Sequence, residues 1–142
     1  MKEAFYGMEY AEIRPERETD GFSGTLREMY ERLGKAWCAE TCAPRMRGDW
    51  TPENRTLGQC SVTAFLVQDY FGGTVYGIPL PEGGFHCYNV IGGQVFDLTD
   101  AQFGEKKLDY GGKNPEQFRE VHFRDAEKQE RYLRLKARFR DA

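Results

Sequence analysis

The chain has 142 residues, 39% hydrophobic and 14% aromatic, which suits one domain with a substantial core. Charged residues reach 30% but nearly cancel to a net charge of -3, so no positive field favours nucleic acid as a partner. No apolar run approaches the roughly 20 residues that span a bilayer, and Met1-Lys2-Glu3-Ala4-Phe5 carries no apolar signal core. A cytoplasmic protein off the membrane is expected, with Cys38, Cys42, Cys60 and Cys87 as reduced thiols.

Residues 1–23 are polar and irregular, and read as a short strand or a loosely attached arm. Residues 24–142 read as a single domain. Thr25-x-x-Glu28 has the capping-box pattern, in which each side chain satisfies a free backbone N–H of the other residue. Leu26, Met29, Tyr30, Leu33 and Trp37 then recur at helical spacing. Residues 43–58, with Pro44, Gly48, Pro52 and Gly58, predict a loop containing one helical turn after Thr51-Pro52. A second helix is predicted from about Gln59 to Tyr70. It is apolar nearly all round, which places it at the centre of the domain, and Gly72-Gly73 ends it.

The pattern then becomes β-branched and aromatic. Strands are predicted over 74–80, 85–91 and 94–98, with Gly92-Gly93 as a two-residue hairpin turn. Asp100 to Phe103 reads as a helical turn, 104–117 as a polar connection and 120–123 as a further strand. Asp125 is placed to cap a last helix to about Phe139, with Tyr132, Leu133, Leu135 and Phe139 on its apolar side. Strands grouped together rather than alternating with helices predict an α+β fold with an antiparallel sheet. The basic run from Arg131 to Arg140, interspersed with Leu and Phe, reads as the solvated face of that helix.

The hairpin carries the chemistry. With Gly92 and Gly93 as turn residues, Ile91 faces Gln94, Tyr88 faces Asp97 and His86 faces Thr99. Side chains alternate along a strand, so His86, Tyr88, Asp97 and Thr99 share one face, with His86 and Asp97 as diagonal neighbours. The aspartate can then hold one imidazole nitrogen and leave the other for a thiol. Cys60 supplies that thiol at a helix start, where free N–H groups favour thiolate over thiol and can donate to an oxyanion. Gln59 is a candidate amide donor to that oxyanion. Trp50, Asn54 and Tyr88 are candidates to line a substrate groove. Each of these residues also has a plain structural reading, and only the combination of Cys60, His86 and Asp97 argues for chemistry. Zinc held by Cys38, Cys42, Cys60 and either His86 or Cys87 is disfavoured, because adjacent strand residues point to opposite faces. No metal and no cofactor are expected.

Several blocks resemble the YunG-like family of small bacterial proteins. They are Trp50-Thr51-Pro52-Glu53-Asn54, Gly58-Gln59-Cys60-Ser61-Val62-Thr63-Ala64, Val67-Gln68-Asp69-Tyr70-Phe71-Gly72-Gly73, His86-Cys87-Tyr88-Asn89 and Phe96-Asp97-Leu98-Thr99. The resemblance covers roughly residues 25–140, and the Cys, His, Asp order is similar to that of papain-like and transglutaminase-like folds, NlpC-type peptidases included. It implies a central helix carrying the cysteine at its start, packed on an antiparallel sheet that carries the histidine and aspartate. Cys60 would be the nucleophile, His86 the base and Asp97 the orienting acid. Cys87 and Tyr88 stand where the family tends to have Tyr and Trp. The expected function is cysteine-dependent acyl transfer, hydrolysing a peptide or an amide-bearing small molecule. The alternative is a non-catalytic peptide- or ligand-binding module on the same fold.

Overall fold

A computed structural model describes residues 4–142; residues 1–3 of the N-terminal arm lie outside the described residues. The first long helix, α1 (Leu26–Ala36), begins with the capping box: Thr25 accepts from the Glu28 N–H while Glu28 accepts from the Thr25 N–H at 2.7 Å. Its face of Leu26, Met29 and Leu33 is fully buried. The second helix, α2 (Cys60–Phe71), lies at the centre, with every residue from Ser61 to Val67 and Tyr70 buried. Burying a side chain such as Phe65 or Leu66 contributes about 2 kcal/mol, so this helix anchors the core.

Against α2 stands a three-stranded antiparallel sheet in the order β1 (Thr74–Pro79), β2 (Phe85–Ile91), β3 (Gln94–Phe96). Gly92 and Gly93 take φ of 58° and 80°, the positive values such a turn requires. Ile91 pairs with Gln94 and Asn89 with Phe96, as the turn predicts. Asn89 Nδ2 donates to the Ala64 carbonyl at 2.9 Å, tying the sheet to α2 in the core.

Four expectations need correction. The third strand ends at Phe96 rather than Leu98, because the Asp97 N–H bonds the carbonyl of Tyr6 instead of continuing the hairpin. The N-terminal segment is accordingly not loose: Phe5, Ala11 and Phe22 are buried in the core cluster. Residues 120–123 form no strand; they fall largely within a short helix, α3 (Arg119–His122). This places His122 and the following Phe123 both against the Phe65 ring, at 5.1 and 5.5 Å, which a strand with alternating faces would forbid. In the last helix, α4 (Ala126–Asp141), Leu133 is 54% exposed while Arg131 is 4% exposed. Arg131 is tolerated there because its guanidinium donates to both Glu127 carboxylate oxygens and to the Thr41 carbonyl. Asp125 caps α4 as expected, accepting from the N–H groups of Glu127 and Lys128.

Among the described residues, no helix is long and apolar enough to cross a membrane.

Candidate active site

Cys60 is the first residue of α2. No side chain caps that end of the helix, so its first N–H groups remain available to an anion. Gly58, two residues earlier, sets the approach. Its φ is +70°, and a Cβ there would lie 2.5 Å from Cys42 Sγ and 2.9 Å from the Ala43 nitrogen. The loop can therefore close on residues 42–43 only with glycine, and the Ala43 N–H bonds the Gly58 carbonyl at 2.9 Å.

The Cys60 sulfur lies 3.7 Å from the Phe85 carbonyl oxygen, at the start of β2. The next residue, His86, is buried, and its Nε2 donates to Asp97 Oδ2 at 2.7 Å. His86 Nδ1 has no hydrogen-bond partner. Asp97 is 0% exposed and fully engaged: Oδ2 also accepts from the Tyr110 hydroxyl at 2.7 Å, and Oδ1 from the Thr99 N–H at 3.2 Å. Phe103 packs edge-on to the imidazole with ring centroids 4.7 Å apart. The ring is thus fixed by a buried carboxylate on one side and an aromatic wall on the other.

The electrostatics separate the two thiols that meet here. A hydrogen bond from the Cys87 thiol, opposed by burial and reinforced by the closeness and charge of His86, holds Cys60 well below the usual thiol range. The same contact with Cys60, together with burial, keeps Cys87 well above it, as a thiol. Burial works against a charge on His86, but the charge and hydrogen bond of Asp97 outweigh it, and Cys60 adds to them; its pKa is raised to about 10. Both shifts favour a thiolate beside an imidazolium over a neutral thiol and imidazole. Burial and Asp97 push Tyr110 upward, so it remains a hydroxyl donor.

Cys60 and His86 open on a cleft of about 580 Å³. Met46, Leu57, Leu80, Phe85 and Phe103 give it apolar walls, and charged side chains stand on the α4 side and beside Pro44. That volume lies within the range of small-ligand pockets.

The structure brings together Cys60, His86 and Asp97 but not the four candidates expected around them. Gln59 is 0% exposed and its Nε2 donates to the Cys38 carbonyl at 3.0 Å, which commits that amide away from the cleft. Trp50 donates its indole N–H to the Arg55 carbonyl. Asn54 lines a separate cavity with Glu53 and Gly104. Tyr88 is buried, its hydroxyl accepting from Asn114 Nδ2 at 2.9 Å. None of these four lines the cleft. Tyr110 and Phe103, which flank the acid and the base, carry no sequence signal beyond being aromatic. Thr99 was visible as a face-sharing neighbour, and its N–H bond to Asp97 is an ordinary Asx arrangement.

The family model described as YunG protein matches residues 25–142, so the chain belongs to the YunG family. Over 54 residues it is 48% identical to "Uncharacterized protein YunG" of Bacillus subtilis (strain 168). That stretch covers 38% of this chain and 46% of the Bacillus protein, so the match spans less than half of the relative. No solved structure matches the chain.

Proposed function

We propose that the protein is a cysteine-dependent acyl-transfer enzyme that hydrolyses a peptide or amide bond, with Cys60, His86 and Asp97 as its triad. The observation that carries this reading is the buried His86–Asp97 bond, which leaves Nδ1 without a partner beside Cys60 at the cleft wall. A merely structural buried histidine would have both nitrogens satisfied.

In this mechanism the Cys60 thiolate attacks the scissile carbonyl carbon. The oxyanion is received by N–H groups at the start of α2. The carbon–nitrogen bond then breaks as His86 gives its proton to the leaving amine, and the acyl group remains on sulfur as a thioester. His86 next takes a proton from water, the hydroxide attacks the thioester, and Cys60 leaves as thiolate. Asp97 keeps the ring oriented throughout and stabilises its positive form. The arrangement of a cysteine-bearing helix on an antiparallel sheet with the histidine and aspartate supports a papain-like or transglutaminase-like ancestry, and a reducing cytoplasm suits a site with two adjacent thiols.

The test is the pH dependence of Cys60 alkylation by iodoacetamide, in wild type and in His86→Ala. A rate that holds its plateau well below pH 8 and loses it without His86 supports the reading. A titration in the ordinary thiol range, roughly 8.5, that ignores His86 would leave a binding cleft with an inert triad.

A further inference from the structure

The charges around the cleft balance in number, three of each sign, but they are not equally free. Six charged side chains line it: Arg45, Glu82, Asp125, Glu127, Lys128 and Arg131. Three are committed to the fold. Glu127 holds Arg131 through two hydrogen bonds and lies 3.7 Å from Arg47. Asp125 accepts the first N–H groups of α4. Glu82 sits exposed on the β1–β2 loop, where water solvates it.

Lys128 and Arg45 remain. None of the ion pairs among the described residues involves either. Arg45 is exposed, but Lys128 is half-buried. Its Nζ donates at 2.9 Å to His122 Nδ1, while His122 Nε2 donates to Gln117 Oε1 at 2.8 Å. This chain fixes a neutral imidazole whose only role toward Lys128 is to hold it. An ammonium has three N–H donors, so two are left for the cleft. A half-buried cation held in place by a neutral ring, with no carboxylate paired to its Nζ, is an arrangement that an anion completes. Its charge is felt by Cys87, the thiol beside Cys60.

We propose that the substrate taken at Cys60 carries a carboxylate, and that Lys128 binds it with Arg45 as a second, outer cation. The substrate class is thus an acidic amide or a short peptide held by a terminal or side-chain carboxylate. The inference rests on the acyl-transfer reading of Cys60 and adds its specificity.

Two matched alkylating probes test it, N-iodoacetylglycine and N-iodoacetylglycinamide, which differ in a single carboxylate. Each forms the same carbon–sulfur bond with Cys60 and expels iodide, so the ratio of their rates, read by mass spectrometry at the Cys60 peptide, cancels any change in thiolate content. The acid is expected to react about fivefold faster in wild type, the size of one half-exposed ion pair, with the preference shrinking as salt is raised. Lys128→Gln should bring the ratio close to that of free cysteine, and Lys128→Arg should keep it. Arg45→Gln, at an exposed position that does not endanger folding, should lower it part of the way. A wild-type ratio no higher than that of free cysteine overturns the proposal. So does a ratio unmoved by Lys128→Gln, or one lost equally in Lys128→Arg. Failure of the triad reading is distinct: it shows as iodoacetamide alkylation indifferent to His86, whatever the probe ratio does.

Discussion

The scaffold of the site and its walls are built by different means. The scaffold is α2 and the β2–β3 hairpin, both periodic and both tied to the core, Asn89 reaching the Ala64 carbonyl across their interface. The walls are residues 43–59 and 100–117, made of tight turns and single long-range bonds: the Gly58 N–H to Gln102 Oε1 at 3.2 Å, Gln102 Nε2 to the Thr99 carbonyl at 3.1 Å, Tyr110 to Asp97. Periodic elements fix which residues meet, and aperiodic ones fix what shape surrounds them. Under the proposed function, chemistry belongs to the scaffold and selectivity to the walls, as is common where functional loops ride on a rigid frame.

The largest effect should come from breaking the scaffold's charge pair. His86→Ala removes the imidazolium that favours the Cys60 thiolate, and alkylation of Cys60 near pH 6 should fall about 100-fold. Cys87 still donates to the sulfur, so the loss should stop short of making Cys60 an ordinary buried thiol. Comparing His86→Ala with the double variant His86→Ala/Cys87→Ala measures that remainder. If His86→Ala moves the rate by less than threefold, the pair is not what activates the thiol.

In the walls, two glycines give a sharper contrast. Gly58→Ala forces a side chain into a positive φ and against Cys42 and the Ala43 backbone, and should cost about 2 kcal/mol in a urea titration. Gly48→Ala lies in the same wall, where a Cβ meets nothing within 4 Å, and should be nearly neutral. Equal losses at both positions would mean that the wall responds to backbone entropy rather than to the contact at Gly58.

The same division decided what could be read from sequence. The capping box at Thr25, the apolar α2, the Gly92-Gly93 turn and the cap at Asp125 each rest on a local rule, and each lies where its rule puts it. Those rules place Cys60 and His86; Asp97 lies one residue past the end of β3, yet still meets His86. Of the four expected wall residues, two are claimed by distant partners: Cys38 holds Gln59 and Asn114 holds Tyr88, across 21 and 26 residues. Trp50 turns to the nearby Arg55 carbonyl, and Asn54 lines another cavity. Residues 120–123 deceived for a related reason. Val121, His122 and Phe123 favour strands locally, but no strand is there to pair with, and α2 offers Phe65 to both His122 and Phe123. Arg131 and Leu133 exchanged places because a guanidinium with three satisfied contacts can be buried, and no hydropathy pattern records the contacts.

A smaller effect is expected at the seam between scaffold and wall. Tyr110→Phe deletes the wall's donor to Asp97 but keeps the ring against Tyr6 and Tyr88, 4.4 and 5.0 Å away. Asp97 still accepts from His86 and from the Thr99 N–H. Stability should fall by about 1 kcal/mol, while the low-pH plateau of Cys60 alkylation survives. Loss of the plateau would move Tyr110 from the wall into the triad's own support.

The smallest effect concerns His122, beyond both walls, a fixed neutral ring that holds Lys128. Burial, and then the Lys128 charge, lower its pKa to about 4 from an ordinary value near 6.5. Between those two values the unfolded chain binds a proton there that the folded chain refuses, so stability rises with pH across that window. His122 therefore leaves folding unaffected above about pH 7, and the protein loses stability as pH falls from 6.5 toward 4. Urea midpoints taken over that range should drop more steeply in wild type than in His122→Gln, which has no proton to gain. Carboxylates titrate in the same window in both proteins, so only the difference between the curves reports His122. Parallel curves would mean that the ring already takes its proton in the folded state. Lys128 would then have lost its acceptor and its place at the cleft, while Cys60, His86 and Asp97 on the scaffold would be untouched.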